Sequence, residues 1–291
     1  MNNICVGSAQ FGMNYGISNQ VGQVDFQDVL SIVNCAHNNE VYYYDTAQVY
    51  GNSEKVLGHA FRNLGVNDTV KCITKIRPYY NINCYKDIRI SLLESIQRLN
   101  IESLWGLLIH RVDQFDSLNK HINALKTEQI ISNFGVSVYY PDDALKFLEV
   151  DEVDFLQIPF NAMDRRLVDL DFFIKAKKYG KKIFIRSLFL QGLFFLSNDK
   201  IIEKDLGWMI PELNQFHLFW EKYYQSNKDF LFEVVKFIAP NAVLVVGNDS
   251  LEQFQNNLIS NNSKSYGDKL LSNWWDEIPK FSDRILNPSK W

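Results

Sequence analysis

Four ionisable side chains of the kinds used in proton transfer stand at or just after the ends of apolar segments. Asp45 ends the segment "VYYYD", Tyr50 follows it by five residues, Lys75 ends "VKCITK" and His110 ends "SLWGLLIH". If these segments are neighbouring parallel strands of a barrel, their carboxyl ends converge and the four side chains meet. The pattern therefore predicts an active site built from several strand ends.

The four residue types suit the transfer of a proton to a carbonyl oxygen. A tyrosine with a pKa of about 10 is a poor proton donor at neutral pH unless a cation stabilises its phenolate, and Lys75 could supply that cation for Tyr50. A carboxylate at Asp45 favours the charged form of Lys75 and orients it. A neutral imidazole at His110 would hydrogen-bond to the oxygen that Tyr50 protonates. We predict a site that protonates a carbonyl oxygen while a hydride reaches the carbonyl carbon.

The elements that must position these residues alternate regularly between strand and helix patterns. Eight strand-helix units in about 290 residues are typical of an α/β protein with a (β/α)8 TIM barrel, here a single domain over residues 1–291. The competing fold, a doubly wound open sheet, usually carries a G-x-G-x-x-G turn if it binds dinucleotides, and the sequence has none. Residues 188–211 are predicted to lie across the barrel mouth as a loop. The eight predicted strands are 3–7, 41–45, 70–75, 103–110, 131–137, 153–159, 181–187 and 241–247.

Each of the four polar residues could also have a purely structural role. A tyrosine at a strand end commonly packs, a lysine can be a surface charge, an aspartate can cap a turn, and a histidine can be an ordinary polar strand end. Lys75 could instead be the amine nucleophile of a Schiff-base lyase, although Asp45 would keep that amine protonated. A third alternative is a barrel that binds a nucleotide and turns over slowly or not at all.

The composition argues against several classes of protein. The chain has 291 residues, 46% of them hydrophobic, and a net charge of −4 with its basic residues scattered, which gives no footprint for nucleic acid or an anionic membrane. No window approaches the roughly 20 apolar residues of a membrane span. The four cysteines lie far apart without metal-ligand spacing, which predicts reduced thiols and no metal site. We expect a cytoplasmic protein, a monomer or homodimer, that acts on a small molecule.

Several segments together resemble the aldo-keto reductases. They are "YDTAQVYGNSEKVLG", "ITKI", "LLIH", "FGVS", "LQIPFN", "LQGLF" and "VVGNDSLEQFQNNL". The resemblance implies a (β/α)8 barrel that binds extended NADPH and uses an Asp, Tyr, Lys and His tetrad, which matches Asp45, Tyr50, Lys75 and His110. The segments "GSAQFGMNYGISN" and "RILNPSKW" further resemble a bacterial branch associated with surface-polysaccharide biosynthesis. A carbonyl substrate, sugar-derived in that branch, is implied.

The same resemblance implies the residues that bind the cofactor. Those around the nicotinamide would follow the middle strands, and those around the adenosine would follow the last strand, where a helix N-terminus can meet phosphate. The implied set is Gly7, Ser137, Gln157, Asn161, Arg186, Ser187, Gly247, Ser250, Gln253 and Asn257.

The sequence departs from the family pattern in three places. Asp249 and Ser250 stand where relatives usually place Arg or Lys for the 2′-phosphate, so NADPH is expected with NADH as the alternative. Val138 replaces an asparagine. Arg186 replaces an aromatic residue that stacks on the nicotinamide, and its guanidinium could stack or receive an anionic substrate group. The tryptophans of "NWWDEIPKF" are expected to pack and close the barrel rather than to line a sugar pocket.

Overall fold

The computed structural model describes residues 2–78, 84–224 and 228–291, which form a closed barrel of parallel strands. The strands follow one another in sequence order around the barrel, and β8 pairs with β1 to close it. Every predicted strand is present, although several begin one or two residues later than predicted. The strands are β1 Ile4–Gly7, β2 Tyr43–Asp45, β3 Lys71–Lys75, β4 Leu104–Ile109, β5 Ile131–Ser137, β6 Phe155–Pro159, β7 Lys182–Arg186 and β8 Val243–Gly247.

Helices cover the outside of the barrel and connect successive strands. They are α1 Ala9–Gly12, α2 Phe26–Asn38, α3 Ser53–Leu64, α4 Tyr85–Leu99, α5 Phe115–Thr127, α6 Pro141–Leu148, α7 Phe172–Lys178, α8 Asn198–Ile202, α9 Ile210–Tyr224, α10 Lys228–Ile238, α11 Leu251–Asn262, α12 Asp268–Glu277 and α13 Asp283–Leu286. The pattern "LVDLDFFIKAKKY" predicts a helix that begins earlier than α7 does. Asp171 adopts a left-handed conformation with φ of 52°, so the helix begins only after it.

Aromatic rings fill the amino-terminal end of the barrel. Tyr43 lies 5.0 Å from Trp105 and 5.4 Å from Phe184, measured between ring centroids, and Trp105 lies 5.2 Å from Phe155. Lys182 donates a hydrogen bond of 2.9 Å to the Tyr43 hydroxyl, with its ammonium 4.8 Å from the centre of that ring. This end is packed, so a site has to lie at the carboxyl ends of the strands.

The long connection after β7 reaches the opposite, open end. Residues 188–211, predicted as a loop, contain the short helix α8 and two 3-10 turns. The connection contacts the loop after β1, where the backbone N–H and the hydroxyl of Ser18 both donate to the Gln191 carbonyl. Trp274 and Trp275 are buried and donate to the carbonyls of Ala162 and Val234, which confirms that these two tryptophans pack.

Candidate active site

Asp45 and Lys75 form a buried ion pair at the ends of β2 and β3. The Lys75 ammonium lies 2.7 Å from both carboxylate oxygens of Asp45 and donates a further bond of 3.1 Å to the Thr46 carbonyl. Only 2% of Lys75 and 5% of Asp45 are exposed. Burial lowers the pKa of Lys75, but the charges of Asp45 and Tyr50 and their hydrogen bonds outweigh it, and the net pKa is raised. Lys75 is therefore a fixed cation.

Tyr50 lies beside this cation in the loop after β2. The Lys75 ammonium is 4.9 Å from the centre of the Tyr50 ring. Burial raises the pKa of the Tyr50 phenol, and the Lys75 charge opposes that effect only in part. The phenol thus keeps its proton at neutral pH, next to the ammonium that would stabilise its conjugate base.

Two glycines fix the backbone that carries Tyr50. A Cβ added at Gly12 would lie 1.9 Å from the Tyr50 carbonyl oxygen, and one at Gly51 would lie 2.2 Å from the Gly12 carbonyl oxygen. Gly51 also has a φ of 56°, which favours glycine. Tyr15 packs against the Tyr50 ring, with centroids 6.5 Å apart. Sequence reasoning missed these three neighbours, although Gly12 and Tyr15 lie in the segment "FGMNYG" and Gly51 directly follows Tyr50.

His110 follows β4 and faces the same site as a neutral group. Burial and the charges of Lys75 and Arg186 lower its pKa to about 4, while Asp45 acts in the opposite direction. Among the described residues, no group hydrogen-bonds to its buried Nδ1 atom. The structure thus agrees with the neutral imidazole inferred from the sequence and leaves one ring nitrogen available to a ligand.

Gln157, on β6, extends the ion pair across the barrel. Its side-chain N–H donates a bond of 2.7 Å to Asp45 Oδ1, and its carbonyl oxygen accepts a long bond of 3.5 Å from the Ser137 hydroxyl. Both residues are buried. Asn161 donates to the Ser187 carbonyl at 3.4 Å and accepts from the Met163 backbone at 2.9 Å. Gln157 is thus bonded directly to the tetrad and Ser137 contacts it through Gln157, whereas the contacts of Asn161 are to Ser187 and Met163.

Arg186 ends β7 and lies against a ring. Its guanidinium carbon is 4.2 Å from the centre of the Tyr139 ring. One Nη donates to the Val138 carbonyl at 3.0 Å and the other to the Ser187 hydroxyl at 3.4 Å. Ser187 has a φ of 62°, which turns the chain away from the strand at this point. These contacts hold the guanidinium plane in one orientation.

A second group of polar residues lies where β8 ends and α11 begins. The Ser250 hydroxyl accepts from the Gln253 backbone at 3.2 Å, which caps the helix, and the Gln253 side chain accepts from the Asp249 backbone at 3.0 Å. Burial raises the pKa of the Asp249 carboxyl, while hydrogen bonds from Gln253 and Gln10 oppose that shift. These residues lie beside a helix N-terminus, which can receive an anion.

Asn257, one helical turn further on, has an unsatisfied acceptor. Its side-chain N–H donates to the Asn248 side chain at 2.7 Å, but in the part of the chain that the structure describes its buried Oδ1 atom accepts from no group. The residue is only 3% exposed. A buried acceptor without a partner is costly unless a ligand satisfies it.

Two paired glycines lie next to these residues. Gly7 on β1 is in register with Gly247 on β8, and a Cβ at Gly7 would come within 3.3 Å of the Gly247 backbone. A Cβ at Gly247 would lie 2.6 Å from the Gln10 side-chain nitrogen. Gln10 was not singled out from the sequence, because nothing in its local pattern indicates that it crosses the end of β8.

The described residues contain no cluster of metal-ligating side chains and no helix that could cross a membrane. Within residues 2–78, 84–224 and 228–291, no three His, Cys, Asp or Glu side chains are grouped as metal ligands would be. No described helix combines the length and the hydropathy needed to cross a bilayer. All four cysteines are free thiols.

Comparison with known proteins agrees with this geometry. The structure is similar to aldo-keto reductase AKR11C1 from Bacillus halodurans, in its holo form, with a TM-score of 0.73 and 16% identity over 96% of this chain and 93% of the other. It is also similar to the glycerol dehydrogenase AKR11B4 from Gluconobacter oxydans, with a TM-score of 0.70 and 20% identity over 94% and 90% of the chains. At these identities the likeness shows the fold. No curated protein matches the chain by sequence.

The sequence itself gives the assignment. Residues 3–263 match the aldo/keto reductase family, which is most of the chain and includes every residue of the candidate site. The closed eight-stranded barrel is the fold of that family, and its members are oxidoreductases that use nicotinamide cofactors. The chain therefore belongs to the aldo/keto reductase family.

Proposed function

We propose that the protein reduces an aldehyde or ketone to an alcohol with NAD(P)H, and that Tyr50 is the general acid. The observation that carries this proposal is the position of the Lys75 ammonium beside the Tyr50 phenol, 4.9 Å from the centre of its ring. The Asp45 carboxylate holds that ammonium in place at a distance of 2.7 Å. The family supports an oxidoreductase, and this contact supplies the proton donor that carbonyl reduction requires.

The residues present fit a nicotinamide dinucleotide. Ser137, Asn161 and Gln157 offer polar groups beside the tetrad for the carboxamide end. Gly247, Ser250, Gln253 and Asn257 would hold the adenosine end, where the unsatisfied Asn257 acceptor suits an amino group. We propose NADPH as the cofactor, with NADH as the alternative. The bound cofactor supplies the hydride that reduces the carbonyl carbon.

The protein's own groups handle the proton. The Tyr50 hydroxyl donates its proton to the carbonyl oxygen as the carbon is reduced, and a proton from solvent later restores the phenol. Lys75 stabilises the transient phenolate, and Asp45 keeps Lys75 charged. The neutral His110 ring donates a hydrogen bond to the same carbonyl oxygen and polarises it.

The substrate class follows from the resemblance of the chain's two terminal segments. We propose a sugar or sugar-derived carbonyl compound of the kind used in surface-polysaccharide biosynthesis. One protein with a similar fold is a glycerol dehydrogenase, and glycerol is a hydroxylated compound, as sugars are. A cytoplasmic location accompanies this proposal, because reduced nicotinamide cofactors and free thiols are found there.

The two alternative functions have less support. A Schiff-base lyase needs an unprotonated amine, whereas the carboxylate of Asp45 holds the pKa of Lys75 above its ordinary value. Borohydride treatment with a carbonyl substrate should therefore trap no adduct on Lys75. A barrel that binds cofactor without turnover would retain the adenosine contacts but would have no need of the Tyr50 and Lys75 contact.

Fluorescence titration with NADPH and with NADH, followed by a panel of aldehydes and ketones, tests the proposal. We expect saturable quenching of tryptophan fluorescence by at least one cofactor and oxidation of that cofactor by some member of the panel. Binding without oxidation across the panel would favour the inactive barrel. The lack of binding by either cofactor would overturn the proposal.

A further inference from the structure

The site contains one positive charge that the tetrad does not neutralise. On this basis we propose that the substrate carries an anionic oxygen group, a carboxylate or a phosphate, and that Arg186 binds it. This inference rests on the proposed carbonyl reduction and names the class of carbonyl compound. A sugar acid or a sugar phosphate with a free carbonyl group belongs to that class.

The charge balance of the site is the first support. Asp45 and Lys75 cancel each other at 2.7 Å, Tyr50 keeps its proton, and His110 is neutral. Arg186 remains as a net charge of about one unit, because arginine stays protonated at all accessible pH values. A neutral substrate that covers the guanidinium would bury that charge without adding a partner for it.

Arg186 also has no acidic partner. Among the described residues, no ion pair with an Asp or Glu involves Arg186. The stretches 79–83 and 225–227 contain no Asp or Glu in their sequence. Asp164 is engaged by Arg166 at 2.7 Å. The guanidinium is therefore available to an external anion.

The position of Arg186 is suited to a substrate bound at Tyr50. Arg186 donates to the carbonyl of Val138. The preceding residue, Ser137, contacts the Gln157 side chain that binds Asp45. The charge of Arg186 also opposes the burial that raises the pKa of Tyr15 and Tyr50, and it contributes to the lowered pKa of His110. Tyr15 itself packs on the Tyr50 ring. An anion bound to Arg186 would thus lie beside the proton donor, where a substrate with a carbonyl group nearby could reach both.

The geometry of the guanidinium favours an anion that presents two oxygen atoms. One of its faces lies against Tyr139, and two donors are used by Val138 and by the long bond to Ser187. Guanidinium has five N–H donors in a rigid fork, so donors remain for a second, bidentate contact. The ring and the carbonyl fix the fork before the substrate arrives, which limits the entropy lost on binding.

Matched pairs of substrates test the inference. Succinic semialdehyde is compared with butanal, and glyceraldehyde 3-phosphate with glyceraldehyde, in the wild type, Arg186→Lys and Arg186→Gln. We expect the wild type to have a kcat/KM roughly 10 to 100 times higher for the anionic member of at least one pair, since charged hydrogen bonds contribute on that scale. The pair that shows the preference distinguishes carboxylate from phosphate.

The variants distinguish anion binding from stacking on the cofactor. Arg186→Gln should lower the ratio of kcat/KM for the anionic substrate to kcat/KM for its neutral partner to about one, while Arg186→Lys should retain part of the preference. Equal losses for charged and neutral substrates, together with weaker cofactor binding, would show that Arg186 stacks on the nicotinamide and would overturn the inference.

A binding measurement tests the inference independently of the proposed function. Calorimetric titration with succinate and with inorganic phosphate requires no turnover. Binding of either anion that weakens at least about tenfold in Arg186→Gln would support the anion site even if no aldehyde were reduced. Equal affinity in both proteins, or no binding to either, would overturn the inference even if neutral aldehydes were good substrates.

Discussion

Gln157 donates a hydrogen bond of 2.7 Å to Asp45, although β6 and β2 lie on opposite sides of the barrel. Asp45 is therefore held both by the Lys75 ammonium and by a neutral amide from across the interior. The ion pair that supports Tyr50 thus depends on the shape of the whole barrel, in addition to the two strands that carry it.

Replacing Gln157 with Leu should weaken both stability and turnover. The substitution leaves a buried carboxylate oxygen without its amide donor, which costs about 1 to 3 kcal/mol. Urea denaturation measures the free energy of unfolding, and steady-state assays measure kcat, which we expect to fall because Asp45 is free to move. Ser137→Ala is the control in the urea measurement, since its 3.5 Å bond to Gln157 is too long to contribute much to stability. Equal effects of the two substitutions would contradict the role given to the Gln157 amide.

Lys75→Met should destabilise the protein more than the double variant Asp45→Asn/Lys75→Met. The single change leaves a buried carboxylate without its cation, which costs roughly 3 to 5 kcal/mol, whereas the double change removes both charges. Denaturation curves of the wild type and the two variants measure the difference. Both variants should lack reductase activity, because the phenolate of Tyr50 is no longer stabilised. A double variant no more stable than the single one would refute the buried ion pair.

Tyr50→Phe should abolish most of the reduction while the cofactor still binds. The phenol acts on the substrate oxygen, and loss of a general acid commonly lowers the rate by about 10² to 10⁴. Fluorescence titration should give a cofactor Kd close to that of the wild type. Tyr15→Phe is a matched control, because it removes a hydroxyl from the neighbouring ring. Unchanged kcat in Tyr50→Phe would remove Tyr50 from its role.

His110 should stay neutral through the physiological pH range. Its pKa in the folded protein is about 4, below the value of about 6.5 expected for the unfolded chain. As the pH falls below about 6.5, the unfolded chain takes up the proton first, so this residue lowers the free energy of unfolding until the pH reaches about 4. Above pH 7 it contributes nothing to the pH dependence. Imidazole NMR signals that titrate near pH 6.5 in the folded protein, but are absent from His110→Gln, would disprove this prediction.

Asp249→Arg should shift the cofactor preference towards NADPH. An arginine at the start of α11 would meet the ribose 2′-phosphate, whereas the present carboxylate repels it, so the ratio of Kd for NADH to Kd for NADPH should rise about tenfold or more. Asn262→Arg places an arginine at the far end of the helix instead and should leave the ratio unchanged. If Asp249→Arg also leaves it unchanged, the adenosine end binds elsewhere.

Much of this site could be predicted from the sequence because barrels gather their strand ends in a known order. Asp45, Lys75 and His110 end consecutive apolar segments, and consecutive strands are neighbours in a parallel barrel. The periodicity of the segments was therefore enough to bring these three residues together. Tyr50 followed from its short distance along the chain.

The sequence could not predict contacts that depend on how deeply a side chain lies in the barrel or on how closely two backbone segments approach each other. The bond from Gln157 to Asp45 crosses the interior, and its length depends on the barrel diameter. Gln10 covers Gly247 because the chain after β1 turns across the barrel end, and Gly12 contacts the Tyr50 backbone because two loops meet without a side chain between them. Residue type and spacing carry no information on such distances.

The packed rings at the amino-terminal end of the barrel have a kinetic consequence. Because Tyr43, Trp105, Phe155, Phe184 and Lys182 fill that end, two reactants that meet at Tyr50 have to share the opposite opening. In the proposed reaction, the reactant that lies deeper would be covered by the other, so we expect it to arrive first and depart last. A barrel filled at its base would thus impose a compulsory order of entry and exit on the proposed catalytic cycle.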